Sequence, residues 1–423
     1  MTQPFQYQNN TLTCEGLPLD RLAERYGTPL YVYSRPAIVE RCRMIEAALG
    51  DIPHIAYYAV KANANPELMQ AIAGEHFGAD VGSRGELFLA LRAGFAPEKI
   101  SFSGVGKRDD EIEEALHQGI HAFNVESAEE IEVISAVASR LGKRARILLR
   151  VNLDIDAGGH AYISTSRRQN KFGVPHAQAP AMLRWASGLP SVEVQGVHSH
   201  IGSQITDVGT FLAAARALVE TVRAVRDAGV PVRELDFGGG YGVRYHGALS
   251  HPGLPEEQPD HPVIPVPEMV KAIIPVLRQA GCTVAVQPGR SIVGEAGALI
   301  VRVLYRKQGE GKTFIIVDGA MNDLIRPSLY GAHHQVVPVT LRGEAAERVD
   351  VVGPVCESGD FFAQDRPVPR SVRGDTLAIL SAGAYGYVIA SNYNARLRAA
   401  EVLLETGGAT LIRPREALED LLP

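Results

Sequence analysis

The sequence predicts an α/β protein, a TIM (β/α)8 barrel joined to a mostly antiparallel β domain. Three observations carry that prediction. Eight short apolar runs between residues 54 and 290 alternate with amphipathic helical stretches, the texture of parallel βα units. Several of those runs end in polar or glycine-rich segments, on the face where barrel enzymes keep their sites. Beyond Arg290 the chain changes to β-branched runs with little helix between them.

In chain order, the expected barrel strands are His54 to Val60, Phe77 to Val81, Ile100 to Ser103, Ala122 to Val125, Ala145 to Val151, Val192 to His198, Leu235 to Phe237 and Cys282 to Val286. Helix punctuation lies between them. Asn65 and Pro66 open one helix, Gly94 closes another, and Ser127 to Glu130 reads as a capping box. The β domain is expected to use Leu299 to Leu304, Phe314 to Val317, Val336 to Thr340, Val349 to Val352 and Leu377 to Leu380, with Leu30 to Tyr33 joining from before the barrel. Gly247 to Pro267, rich in Pro and His, reads as a barrel-loop insertion without regular structure. The expected division is therefore 35–290 for the barrel and 1–34 with 291–423 for the β domain.

Composition narrows the function. The chain has 423 residues, 46% hydrophobic and 21% charged, which is ample for a packed core and outside the disordered regime. Its formal net charge is -6, with no long basic run, so nucleic acid is not an expected partner. Cys14, Cys42, Cys282 and Cys356 are widely spaced and form no CxxC, which points to a reducing compartment rather than a disulfide framework or zinc site. The first residues lack the charged and apolar regions of a signal peptide, and no run of membrane-spanning length occurs, so a cytoplasmic protein without membrane contact is expected.

The chemistry is expected at the strand ends. The first strand runs into Lys61, which puts an amine at the barrel mouth. Alone, such a lysine would be a solvated charge. The sixth strand leads to His198-Ser199-His200-Ile201-Gly202-Ser203, the seventh to Gly238-Gly239-Gly240, and the eighth to Gln287-Pro288-Gly289-Arg290. A glycine triplet is by default a tight turn. Beside Ser203 and Arg290 it also reads as an anion cradle built from backbone N–H groups and a charged fork. His198 and His200 alternate along a strand and face opposite ways, so they do not readily share an ion, and no metal site is expected. The glycines lack the spacing of a dinucleotide fingerprint, and Ser103 to Arg108 lacks the ends of a P-loop.

A lysine amine, a phosphate cradle and an imidazole able to lie against a flat ring together describe a pyridoxal 5′-phosphate site. Tyr58 to Asn63, His198 to Gln204, Gly238 to Gly240, Pro288 to Arg290 and Cys356 to Asp360 resemble the group III pyridoxal-phosphate-dependent decarboxylases. Within that group the resemblance is to the branch acting on diaminopimelate. It extends through Tyr162 to Thr165, Asn170 to Gly173, Met321 to Pro327 and Ser391 to Asn394. It implies an alanine-racemase-like barrel plus β domain, a homodimer with active sites completed across the interface, and loss of CO2 from the D-centre of meso-diaminopimelate to give L-lysine.

The resemblance also implies roles. Lys61 would hold the cofactor as a Schiff base, with burial lowering its pKa. His200 would stack on the ring, Ser203 with Gly238, Gly239 and Gly240 would hold the phosphate, Gly289 would be a cofactor-binding residue, and Arg290 would sit near phosphate and substrate. Cys356 would return the proton, reaching in from the other subunit, whereas the other cysteines read as inert core. Arg326, Tyr330 and Glu357 would hold the substrate's distal end, and Tyr385 would touch cofactor and substrate. One position departs from the family, which has glutamate against the ring nitrogen where this chain has Gln287. A neutral amide adds no charge there, so Gln287→Glu is expected to raise kcat by about tenfold or more. Arg396-Leu397-Arg398 also departs, without evident meaning. Two other readings remain. One is a group III decarboxylase or racemase acting on another basic or carrier-bound amino acid, and the other is a pyridoxal-phosphate-binding regulator without activity.

Overall fold

The computed structural model describes residues 3–156, 158, 169–258 and 262–422, so the Tyr162 to Thr165 motif lies outside the described residues. The chain forms two compact units. One comprises Cys42–Gly242 with Val263–Ser291, and the other Met1–Arg41, Val243–Pro262 and Ile292–Pro423.

The first unit is the barrel. Its strands are β1 (His54–Ala59), β2 (Gly78–Val81), β3 (Ile100–Phe102), β4 (Ala122–Val125), β5 (Ala145–Asn152), β6 (Val192–His198), β7 (Glu234–Asp236) and β8 (Thr283–Val286). All pair in parallel with their chain neighbours, and β8 returns to β1 with Val284 opposite His54, which closes the ring. Each strand agrees with its expected position to within a residue or two. The strands are short and buried on both faces, as helices outside and side chains inside require.

Local chemistry fixes the helices that follow. Asn65 accepts from the Glu67 N–H and Pro66 occupies the first turn of Pro66–Ala73, where its missing donor costs nothing. Asp207 caps the 20-residue helix Val208–Asp227 by accepting from the N–H groups of Gly209 and Thr210. At Ala128–Arg140 the structure differs from the expected capping box. Ser127 accepts from the Glu130 N–H at 3.2 Å, but the Glu130 carboxylate accepts from the Glu126 N–H instead of Ser127. Its other oxygen takes the Lys107 ammonium at 2.6 Å. Lys107, almost fully buried, also donates to the carbonyls of Gly104 and Asn124, so all three of its protons are used and the segment is a structural tether.

The β unit is organised around β9 (Gly297–Gln308). It pairs antiparallel with β10 (Thr313–Val317), with the early strand Leu30–Ser34, and with β14 (Thr376–Ile379). The remaining strands are β11 (Val336–Pro338), β12 (Ala346–Val352), β13 (Phe361–Pro369), β15 (Ala400–Glu405) and β16 (Gly408–Arg413), of which β13, β15 and β16 were not foreseen. Two pairings are parallel, β10 with β12 and Leu30–Ser34 with β15. Leu30, Val32, Ile300, Val402 and Leu404 form one core layer with Leu12 and Leu19. Truncating one of its leucines to alanine should cost about 2–5 kcal/mol. Gly247 to Pro267, expected as a barrel insertion, instead has most of its length in this unit. Gln335 exchanges hydrogen bonds with the backbone of Leu249, and Glu257 accepts from His333 at 2.9 Å.

Candidate active site

The barrel unit gathers nine of the expected residues at the C-terminal ends of its strands. Lys61 sits in a single 3-10 turn, Val60–Ala62, directly after β1. The turn is braced from both sides: the Tyr58 hydroxyl donates to the Asn63 carbonyl at 2.9 Å, and the Asn63 side chain accepts from the Asn65 N–H at 3.0 Å. Gly289 packs against it so tightly that a Cβ there would lie 2.9 Å from the Ala59 Cβ, which explains why the residue before Arg290 has no side chain. Lys61 itself is exposed, contrary to the burial expected of it. The protein therefore leaves its amine open at the mouth.

Past β6, β7 and β8 the segments interlock. Arg290, buried, donates from Nη2 to the Ser203 hydroxyl at 2.9 Å. The Gly239 N–H donates to His200 Nδ1 at 3.2 Å and the Gly238 N–H to Asp236 Oδ1 at 2.8 Å. This modifies the expected cradle, since two of the three glycine donors serve to orient His200 and Asp236. The absence of a side chain at Gly238 has its own cause: φ is +77° and a Cβ would meet the Ser199 carbonyl at 2.2 Å. Gln287 is buried, and its Nε2 donates to Asp236 Oδ2 at 2.7 Å and lies 3.4 Å from Asp80 Oδ1.

Burial governs the charges here. It pushes His200 and His198 well below the usual imidazole range, and nearby cations reinforce it, Lys61 and Arg150 at His200, and Arg150, Lys61 and Lys107 at His198. His200 is thus neutral, with Nδ1 accepting and the proton on Nε2. Burial raises Asp80, against the opposing pull of Lys61 and the Ser103 hydroxyl, and it raises Asp236 well above the carboxylate range, aided by Glu234 and Asp80. Sequence reasoning missed both acids. Their position one residue before or at a strand's end was the available signal.

The β unit places the other five. Arg326 opens the short helix Arg326–Tyr330 and is buried, while Tyr330, one turn later, is half-buried. Arg326 Nη1 donates to the Tyr245 hydroxyl at 2.7 Å and lies 3.1 Å from His334 Nε2. His334 Nδ1 is 2.8 Å from the Leu380 carbonyl, so Nδ1 carries that ring's proton and Nε2 accepts from the guanidinium. The guanidinium carbon also stands 4.6 Å from the Tyr245 ring centroid. Tyr245 and His334 were not foreseen, since neither belongs to a motif.

Cys356 and Glu357 project from an exposed loop that Asp360 ties down, accepting from the N–H groups of Met321 and Val355 at 2.7 Å each. Ser328 donates to the Gly359 carbonyl, which fastens this loop to the Arg326 helix. The Cys356 N–H donates to Asn394 Oδ1 at 3.3 Å, which gives the Ser391 to Asn394 motif a role. Tyr385 is half-buried with φ at +53°, left-handed backbone that a bulky side chain rarely adopts. The other three cysteines are free thiols, Cys14 and Cys42 buried and Cys282 partly so. Among the described residues His246, Glu257 and His333 place ligand-type atoms within 4.8 Å of one another, a grouping that sequence spacing did not show. In the structure it ties the Gly247 segment to the sheet, with Arg366 alongside. No helix among the described residues is long and apolar enough to cross a membrane.

An open amine, a neutral imidazole oriented by the backbone, a serine-arginine pair suited to a phosphate and desolvated carboxylates held by neutral donors fit pyridoxal phosphate, whose ring nitrogen can carry positive charge. Barrel and site together define the class, a pyridoxal-dependent enzyme of the barrel-plus-β type. The family model described as "Pyridoxal-dependent decarboxylase, pyridoxal binding domain" matches residues 35–294. The chain is 46% identical to a diaminopimelate decarboxylase of Pseudomonas aeruginosa over 417 residues, 99% of this chain and 97% of that protein. Among solved structures it resembles diaminopimelate decarboxylase from Helicobacter pylori complexed with L-lysine, at 40% identity and a TM-score of 0.89 over 95% of this chain and 98% of that one. It also resembles the enzyme from M. jannaschii in co-complex with L-lysine, at 33% identity and a TM-score of 0.92 over 100% and 98%. The chain belongs to the diaminopimelate decarboxylase family of pyridoxal-dependent decarboxylases.

Proposed function

We propose that the protein removes CO2 from the D-centre of meso-diaminopimelate to yield L-lysine, working as a cytoplasmic homodimer in which each active site uses residues of both subunits. The observation that carries the substrate reading is Arg326. It is a buried, permanently charged fork with the Tyr245 hydroxyl and His334 Nε2 among its hydrogen-bond partners, and a planar guanidinium of this kind suits a carboxylate. Lysine and ornithine carry no carboxylate at their distal end, whereas diaminopimelate does. Family likeness over nearly the whole chain supports the same choice.

Bound pyridoxal phosphate supplies an electron sink for the charge left when CO2 departs. This chain's residues do the rest. Lys61 offers the amine that holds the cofactor, Ser203, Arg290 and Gly240 hold its phosphate, Gly238 and Gly239 orient Asp236 and His200 beside it, and Gly289 allows close approach next to Lys61. His200 gives the ring a neutral flat face, so no second positive charge competes with the ring nitrogen. Gln287 meets that nitrogen. Arg326, Tyr330 and Glu357 bind the distal amino-acid end, Arg290 and Tyr385 assist at cofactor and substrate, and Cys356 gives its proton to the carbon that has lost CO2. The proton takes the place of the carboxyl group at that carbon.

Incubation of the purified protein and cofactor with meso-diaminopimelate, L-lysine, L-ornithine and L-arginine, scored by CO2 release, tests the reading. Release from diaminopimelate should dominate. Equal turnover of ornithine would sink it in favour of a decarboxylase for another basic amino acid.

A further inference from the structure

The amide of Gln287 has one acceptor and two donor hydrogens, and the structure commits the donor end. Nε2 lies 2.7 Å from Asp236 Oδ2 and 3.4 Å from Asp80 Oδ1. With Asp236 ionised, turning the amide over would set its oxygen against a carboxylate oxygen at hydrogen-bond distance, acceptor against acceptor, so the orientation then follows from the chemistry of the neighbours. Only Oε1 remains to meet a ligand. An amide oxygen can bond a ring nitrogen only when that nitrogen carries a proton.

Asp236 is fully buried, and the two groups hydrogen-bonded to it, the Gly238 N–H and the Gln287 amide, are neutral donors. The charged groups around it are carboxylates, Glu234 and Asp80, while Lys61, Arg150 and Lys107 act on Asp80. A desolvated carboxylate among such neighbours lacks positive charge. Burial accordingly favours its neutral form in the protein alone, and a cation one amide away would reverse that preference.

We propose that Gln287 and Asp236 form a relay that does the work of a single carboxylate: Asp236 supplies the negative charge, and Gln287, oriented by it, presents an amide oxygen that selects a protonated cofactor ring nitrogen. The proposal rests on the family reading that position 287 meets that nitrogen. It replaces the expectation, drawn from residue 287 alone, that this chain leaves the ring poorly protonated. Asp236 acts through Gln287 and is a positioning residue.

The test is 15N NMR of the holoenzyme reconstituted with pyridoxal phosphate labelled at the ring nitrogen, at neutral pH and without substrate. The unmodified protein should show the protonated resonance. Asp236→Asn, which keeps shape and removes charge, should shift it to the unprotonated position, and so should Gln287→Met, which keeps length and removes the acceptor. Should Asp236→Asn fail to fold, Gln287→Met alone still decides the point. An unprotonated nitrogen in the unmodified protein, or a protonated one in Gln287→Met, overturns the relay. Decarboxylation of a different amino acid would revise the substrate and leave the relay standing, whereas failure to take up the cofactor would overturn both.

Discussion

Replacing Arg326 by glutamine separates the charge of this residue from its structural work. Glutamine still offers an N–H donor to the Tyr245 hydroxyl and to His334 Nε2, which lie 2.7 and 3.1 Å from the guanidinium in the native protein. It carries no charge for a substrate carboxylate. Truncating one partner of a buried charged pair costs about 2–4 kcal/mol, which corresponds to a loss of roughly 30- to 900-fold in kcat/KM for meso-diaminopimelate. Because the distal carboxylate is remote from the reacting carbon, most of that loss should appear as a raised KM. The assay is L-lysine formation over a range of diaminopimelate concentrations, with the thermal midpoint and cofactor absorbance measured alongside. Arg326→Ala serves as the contrast, since it also removes the guanidinium's hydrogen bonds to Tyr245 and His334. If Arg326→Gln keeps its fold and cofactor and its kcat/KM stays within about threefold of the unmodified protein, the carboxylate-binding role is wrong.

Four further outcomes are expected. Lys61→Ala should abolish the visible absorbance of the reconstituted protein, and a borohydride-reducible adduct persisting on another peptide would displace Lys61 from its role. Mixing inactive Lys61→Ala with inactive Cys356→Ala should restore activity through heterodimers having one site with both residues intact, and no recovery despite demonstrated subunit exchange would count against shared sites. Gln287→Glu should miss the gain expected from sequence, because a third carboxylate would face Asp236 and Asp80; kcat should rise less than about threefold, and a gain of about tenfold would contradict the relay. Burial raises Asp323 from 3.8 to about 7, so its neutral form stabilises the fold at low pH and that contribution is lost as pH rises through 7. Asp323→Asn should remove this decline, gaining on the order of 2–3 kcal/mol relative to the native protein between pH 5 and pH 8 in urea unfolding, and parallel pH profiles would refute it.

The barrel was legible in the sequence because its signals are local. Each strand is a short apolar run, several helices carry their own cap, and Asn65-Pro66 acts within a few residues of itself. Lys61, Ser203, the glycine triplet and Arg290 were legible for the same reason, since the barrel rule turns a strand's end into a position at the mouth. The β unit was harder. Strands β13, β15 and β16 mix charged residues into their runs, with two prolines besides in Phe361–Pro369, and β15 takes part of its pairing from Leu30–Ser34, far along the chain.

What only the tertiary structure decided is which groups face one another. Asp80, Asp236 and Gln287 are separated by up to about two hundred residues in sequence, and only closure of β8 onto β1 brings β2, β7 and β8 around one mouth. Tyr245 and His334 likewise meet Arg326 only because the segment after residue 242 folds back along the β unit. Sequence named the residue types the chemistry needs. Burial and long-range contact then set their charges, leaving Lys61 open, His200 neutral and the amide of Gln287 turned with its oxygen outward from two carboxylates. Desolvation and hydrogen-bond orientation depend on everything within a few ångströms, and that neighbourhood is assembled by the fold rather than by chain order.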